Sequence, residues 1–131
     1  MTTTAATEGT RLYTGSYPAE PIQVRQVRAA LAALLPDCPR ADDAILVASE
    51  YATNSVIHSA SRGGGEFTLR VEVRQDNVRI EVEDAGGAWH GGPGDDGRPH
   101  GFDVVAAIAG PQNWGINGDT SGRVAWATLG W

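Results

Sequence analysis

The chain contains no lysine. All ten of its basic residues are arginine, set against sixteen Asp and Glu for a net charge of −6. A P-loop needs its phosphate-contacting Lys, and the common protein-kinase fold needs its strand Lys, so neither is present. The acidic balance argues against a nucleic-acid surface. Cysteine is almost as scarce. Cys38 stands alone in the linker Pro36-Asp37-Cys38-Pro39, so no intrachain disulfide forms, and a partly buried thiol is expected rather than a nucleophile. No apolar run reaches the roughly 20 residues of a membrane span. The first ten residues lack the basic cluster and apolar core of a signal peptide. A cytoplasmic protein without membrane contact is therefore expected. No chelating Cys/His set and no Gly-x-Ser-x-Gly elbow occur.

With 131 residues, 41% of them hydrophobic, the chain is long enough for one domain with a real core. Residues 1–10 read as a disordered leader and 11–131 as the domain. Arg11 to Tyr17 alternates loosely and suits an edge strand. A helix is predicted from about Pro21 to Leu35, with Val24, Val27, Leu31, Leu34 and Leu35 on one stripe and Arg25 and Arg28 elsewhere. Residues 61–65, Ser-Arg-Gly-Gly-Gly, make a turn. Phe67, Leu69, Val71 and Val73, then Val78, Ile80 and Val82, alternate with polar residues as a hairpin with one apolar face. A long aperiodic stretch leads to Gly101, and lengths of that kind inside a compact domain mark functional lids or inserts. Phe102 to Ala109 reads as a short helix stopped by Gly110-Pro111, and Gln112–Ile116 with Gly122–Leu129 as a closing strand pair. The expectation is an α+β two-layer sandwich, a mixed, mostly antiparallel sheet covered on one face by helices.

The segment Leu46 to Ala60 is the most informative. It has no Gly or Pro, and Asp42 or Asp43 is placed to cap its start. Glu50, Asn54 and His58 fall at i, i+4 and i+8 on one stripe. Leu46 and Ile57 border that stripe on one side, Val47 and Tyr51 on the other, and Ser49 and Thr53 mark the wet side. Polar groups so enclosed belong either to a satisfied buried network or to the wall of a cleft.

Five segments in one order, residues 49–59, 80–87, 98–105, 114–115 and 122–129, resemble the GHKL (Bergerat-fold) histidine-kinase-like ATPases. Within them the chain is similar to the anti-sigma-factor serine/threonine kinases, over roughly residues 11 to 129. The resemblance implies ATP and Mg²⁺. Asn54 would bind Mg²⁺ through its amide oxygen, a donor that suits a hard cation. Glu50 would be the general base near the γ-phosphate. Asp84 would accept a hydrogen bond from the adenine amino group, an arrangement that favours adenine over guanine. Gly86 and Gly87 would let the backbone pass close to the base. Gly101 and Phe102 open a helix whose N–H groups suit phosphate. Thr128 would support Asp84 from a late strand, and residues 88–100 would form the ATP lid. The chain departs from the pattern in three places: Ala88 stands for the second Gly of the Asp-x-Gly-x-Gly box, Pro99 for a Gly, and His100 for an Arg. Pro99 removes an N–H, and His100 makes a fixed charge conditional near neutral pH. Arg98 could supply that charge instead.

The implied partners are a sigma factor and an anti-anti-sigma protein, with a homodimer possible. Two functions stay open: a kinase that phosphorylates its antagonist, and a non-catalytic interaction module of the same fold. Other readings also remain for single residues. Asp84 could simply end a strand in an Asx turn, His58 could pack at a helix end, and the four tryptophans could be packing residues.

Overall fold

The computed structural model describes residues 2–7, 10–58, 64–86, 100–119 and 122–131. In chain order the elements are β1 (Thr2–Thr7), β2 (Thr10–Pro18), α1 (Gln23–Leu34), α2 (Ala41–His58), β3 (Glu66–Val73), β4 (Asn77–Asp84), α3 (His100–Ala109), β5 (Trp114–Asp119) and β6 (Gly122–Gly130). The strands form one six-stranded sheet in the order β1-β2-β3-β4-β6-β5. Every pairing between them is antiparallel.

Residues 2–7 correct the expectation of a disordered leader. They pair along β2 from Thr2 opposite Gly15 to Thr7 opposite Thr10. Thr is β-branched and fits a pleated edge, and β2 would otherwise leave a row of backbone donors and acceptors open. β2 is therefore an inner strand rather than the edge.

The period-2 pattern sorts the sheet into two faces. Phe67, Leu69, Val71 and Val73 of β3, Val78, Ile80 and Val82 of β4, and Ala125, Ala127 and Leu129 of β6 point to one side and are buried. Val27, Leu31 and Leu35 of the first helical segment, and Ala44, Val47, Ala48, Tyr51 and Ala52 of α2, cover them. Burying each large side chain of this kind stabilises the fold by roughly 1.5–3 kcal/mol. The opposite face is polar. Arg70 pairs with Glu81 at 2.9 Å and Glu83 at 2.8 Å, Arg79 pairs with Glu81 at 2.9 Å, and the Arg79 guanidinium lies 4.6 Å from the Trp126 ring centre.

Three sequence expectations are revised in detail. α2 begins at Ala41, so Asp42 and Asp43 lie in its first turn, where they complement the helix dipole, and do not cap it. Leu46 and Ile57 are 42% and 47% exposed, so that side of α2 faces water and the Glu50 stripe lies at the boundary between buried and wet surfaces. Trp114 stacks on Phe102 with ring centres 5.9 Å apart, as packing residues do, whereas Trp131 is 43% exposed and donates its indole N–H to the Gln75 carbonyl.

Candidate functional site

The site is built on α2, and two hydrogen bonds fix how that helix is rotated on the sheet. The Tyr51 hydroxyl donates to the Trp126 carbonyl of β6 at 2.8 Å. One turn later, the Ser55 hydroxyl donates to Asp84 Oδ2 of β4 at 2.6 Å. The small inner residues Ala125 and Ala127 let α2 approach β6 closely enough for the first bond. Glu50 and Asn54 precede Tyr51 and Ser55 by one residue each, so they lie about 100° around the helix from the anchoring row. Both are half-buried. The anchoring row is sealed against the sheet, and the next row forms the rim.

Asp84 ends β4 with its side chain on the helix-covered face, 7% exposed. Its Oδ2 accepts from Ser55, and its Oδ1 accepts from the Gly86 N–H at 2.7 Å. The second bond closes an Asx turn, the alternative the sequence left open. Gly86 takes φ 74°, a conformation in which a Cβ is unfavourable. A carboxylate has about four lone-pair positions. Two are used by donors among the described residues, and a carboxylate has further acceptor positions that suit a ligand's amino group. Arg123 of β6 is the direct cross-strand partner of Asp84 and is 9% exposed. Burial lowers the Arg123 guanidinium's pKa, and the Asp84 charge opposes that shift.

The structure thus brings Asp84 to α2 at the residue after Asn54, and Glu50 lies one turn back on the same helix. Thr128 is not part of this group. It lies opposite Arg79 in the β4–β6 register, five residues from the Asp84–Arg123 pair, and even-numbered β6 residues face the polar side of the sheet. The Arg79 guanidinium points to its hydroxyl at 3.5 Å. The expectation that Thr128 supports Asp84 is therefore corrected. The hydroxyl in that role belongs to Ser55, and sequence reasoning missed both Ser55 and Arg123. Ser55 could have been found from its spacing, since it follows Tyr51 by four on the buried row. Arg123 shares the odd-numbered parity of Ala125, Ala127 and Leu129.

α3 begins at His100, so Gly101 lies inside its first turn rather than before it. Phe102 is 6% exposed with its ring against Trp114, so its side chain belongs to the core. The first four N–H groups of a helix have no partner within it. Gly87, Arg98 and the other positions from 88 to 99 expected to form a lid lie outside the described residues, as does the side chain of His100. The described residues contain no cluster of three or more His, Cys, Asp and Glu arranged for a metal. Asn54 nonetheless offers an amide oxygen, and one such donor suits Mg²⁺, which keeps several waters and takes its other ligands from phosphate.

A carboxylate sealed against α2, a Glu/Asn pair on that helix and the start of a further helix after a long connection define a class. The family of the histidine kinase-like ATPase domain matches residues 17–117, and the chain belongs to it. Among solved structures it is similar to the RsbU and RsbW domains of Rv1364c from Mycobacterium tuberculosis, with 21% identity and a TM-score of 0.65. That similarity covers 88% of this chain and 32% of the other, so this chain spans just under a third of that structure. At such identity the likeness bears on the fold alone. No curated protein sequence matches the chain significantly.

Proposed function

We propose that this protein is an ATP-dependent serine/threonine kinase that phosphorylates an anti-anti-sigma antagonist and, when released from it, holds a sigma factor. The bond between Asp84 and Ser55 carries this reading. It fixes the purine-reading carboxylate on the helix that bears Glu50 and Asn54, so both ends of one nucleotide would be read from a single rigid element. Asp84 accepts from the adenine amino group. Asn54 would hold Mg²⁺ by its amide oxygen, and the ion would neutralise charge on the phosphates. Glu50 takes the proton of a serine or threonine hydroxyl as that oxygen bonds to the γ-phosphorus, the bond to the β–γ bridging oxygen breaks and ADP leaves. The α3 N–H groups face the phosphates. Phosphate on the antagonist adds charge to its contact surface and releases it.

A second reading is a protein-interaction module that binds ATP without turnover. Pro99 and His100 favour it, because one withdraws an N–H and the other a permanent charge from the glycine box beside α3.

Calorimetric titration with Mg-ATP, followed by label transfer from γ-labelled ATP to the cognate antagonist, separates the two. The kinase reading expects binding, transfer by wild type and no transfer by Glu50→Ala, which still binds ATP. Binding without transfer supports the module. Absence of binding removes both.

A further inference from the structure

We infer that Ser55 is a positioning residue for purine recognition, holding the Asp84 carboxylate in its accepting orientation against the pull of the buried Arg123 guanidinium. This rests on the nucleotide reading above and goes beyond it to the origin of base selectivity.

Three observations meet at this point. Ser55, Asp84 and Arg123 are the buried polar and charged residues among the described core, at 2%, 7% and 9% exposure. They come from three different elements and meet at one end of the sheet. Asp84 and Arg123 face each other across β4 and β6, so their opposite charges attract. Ser55 approaches Asp84 from the helix layer instead, at 2.6 Å, and the Gly86 N–H holds the other oxygen at 2.7 Å. The carboxylate is thus gripped at both oxygens by neutral donors while a cation lies to one side.

The consequence concerns rotation about the Asp84 side chain. An aspartate whose second oxygen is released turns easily, because its terminal torsion is broad. In a buried, weakly screened setting, the charge of the Arg123 guanidinium across the strand pair attracts it. A carboxylate turned toward Arg123 offers its lone pairs to that cation and no longer to a purine amino group. The Ser55 hydroxyl prevents this turn. Thr128 cannot do so, since it lies on the opposite face of the sheet. Support from α2 also makes the adenine acceptor and the Glu50/Asn54 row parts of one body, so a shift at one end of the nucleotide is felt at the other.

The test is Mg-ATP and Mg-ITP binding by calorimetry, comparing wild type with Ser55→Ala and Ser55→Thr. ITP carries a carbonyl oxygen where ATP carries the amino group, so the ratio of the two affinities reads the acceptor directly. Ser55→Ala is expected to weaken ATP binding about tenfold and to reduce the ATP/ITP ratio by a similar factor, the scale of one hydrogen bond to a charged group. Ser55→Thr keeps the hydroxyl and is expected to restore the ratio. General loosening of the fold would weaken both nucleotides together and leave the ratio alone. Thermal unfolding of each variant, with Arg123→Met in the Ser55→Ala background, guards against a folding defect. Removing the competing cation is expected to recover part of the ratio.

A wild-type protein that binds ATP and an unchanged ratio in folded Ser55→Ala would overturn this inference and leave the nucleotide reading intact. A wild-type protein that binds neither nucleotide would overturn both.

Discussion

The Tyr51 hydroxyl donates to the backbone carbonyl of Trp126 at 2.8 Å, joining α2 to β6, a strand paired on both sides, with β4 and with β5. Tyr51 is 1% exposed, and this bond satisfies its one polar atom. It also sets the azimuth of α2, which decides that Glu50 and Asn54 form a rim instead of facing the core.

Removal of that hydroxyl by Tyr51→Phe is expected to cost about 1 kcal/mol, the net worth of a neutral hydrogen bond. Urea titration should show a lower midpoint with an unchanged slope. Burial raises the Tyr51 phenol's pKa above its ordinary value of 10.0. Below that value both folded and unfolded chains hold the proton, so the stability is fully present. As pH rises past it, the unfolded chain loses the proton first and stability falls. Tyr17 adds to the same limb, its phenol raised by burial and by the Tyr13 hydroxyl 2.6 Å away. Alkaline unfolding should be shallower in Tyr51→Phe than in wild type.

Asp84→Asn keeps the size of the side chain and reverses part of its chemistry. The amide retains one acceptor oxygen and gains a donor. The Ser55 and Gly86 donors now compete for that oxygen, so stability should fall by about 1 kcal/mol. ATP binding should weaken by a factor of about 10 or more, while ITP, whose carbonyl can accept from the new amide, should lose less. Competition between the two nucleotides reads this directly.

Arg40 clamps three elements. Its guanidinium donates to the Ile108 carbonyl at 2.7 Å, to the Gly130 carbonyl at 3.2 Å and to Asp43 Oδ2 at 3.0 Å. It thereby closes the C-terminal turn of α3, the end of β6 and the start of α2 with one planar fork. Arg40→Ala should destabilise by about 2 kcal/mol, mostly through the two carbonyls, since the half-exposed Asp43 pair contributes about 0.5 kcal/mol. Arg40→Lys should recover little, because one ammonium cannot span three acceptors set for a fork. Thermal unfolding of the two variants and of Asp43→Ala apportions the effect.

On the polar sheet face, burial alone would raise the Glu81 carboxyl, but hydrogen bonds from Arg79 and Arg70 and their charges outweigh it and hold it below its ordinary 4.5. A depressed carboxyl contributes stability that is present above the unfolded value and is lost as pH falls through the folded one. Stability should therefore decline below about pH 4.5 in wild type. Glu81→Gln should be less stable at neutral pH and lose less on acidification. Chemical denaturation at pH 7 and pH 3.5, repeated in high salt, separates this ion pair from general acid unfolding.

Much of the fold could be read from periodicity. The alternation in Phe67–Val73 and Val78–Val82 named the buried side of the hairpin, because neighbouring strand residues point to opposite faces. The stripe on α1 likewise named its packing face. The strand at Thr2–Thr7 has no apolar alternation to mark it, and its partner row on β2 is invisible in the local pattern. Thr128 was misassigned for a related reason. A family pattern matches residues along the chain, whereas support for Asp84 depends on which way a strand residue points and on its register with β4.

The chain by itself determined that Glu50 and Asn54 share one stripe of a helix, since that follows from a helical period of 3.6 residues and needs no other element. Only the tertiary structure decided that Asp84 meets Ser55 on that helix and Arg123 across the sheet. Those contacts join residues 29 positions apart or more. They exist because antiparallel register and helix rotation are set by packing over the whole core, which no local stretch of sequence encodes.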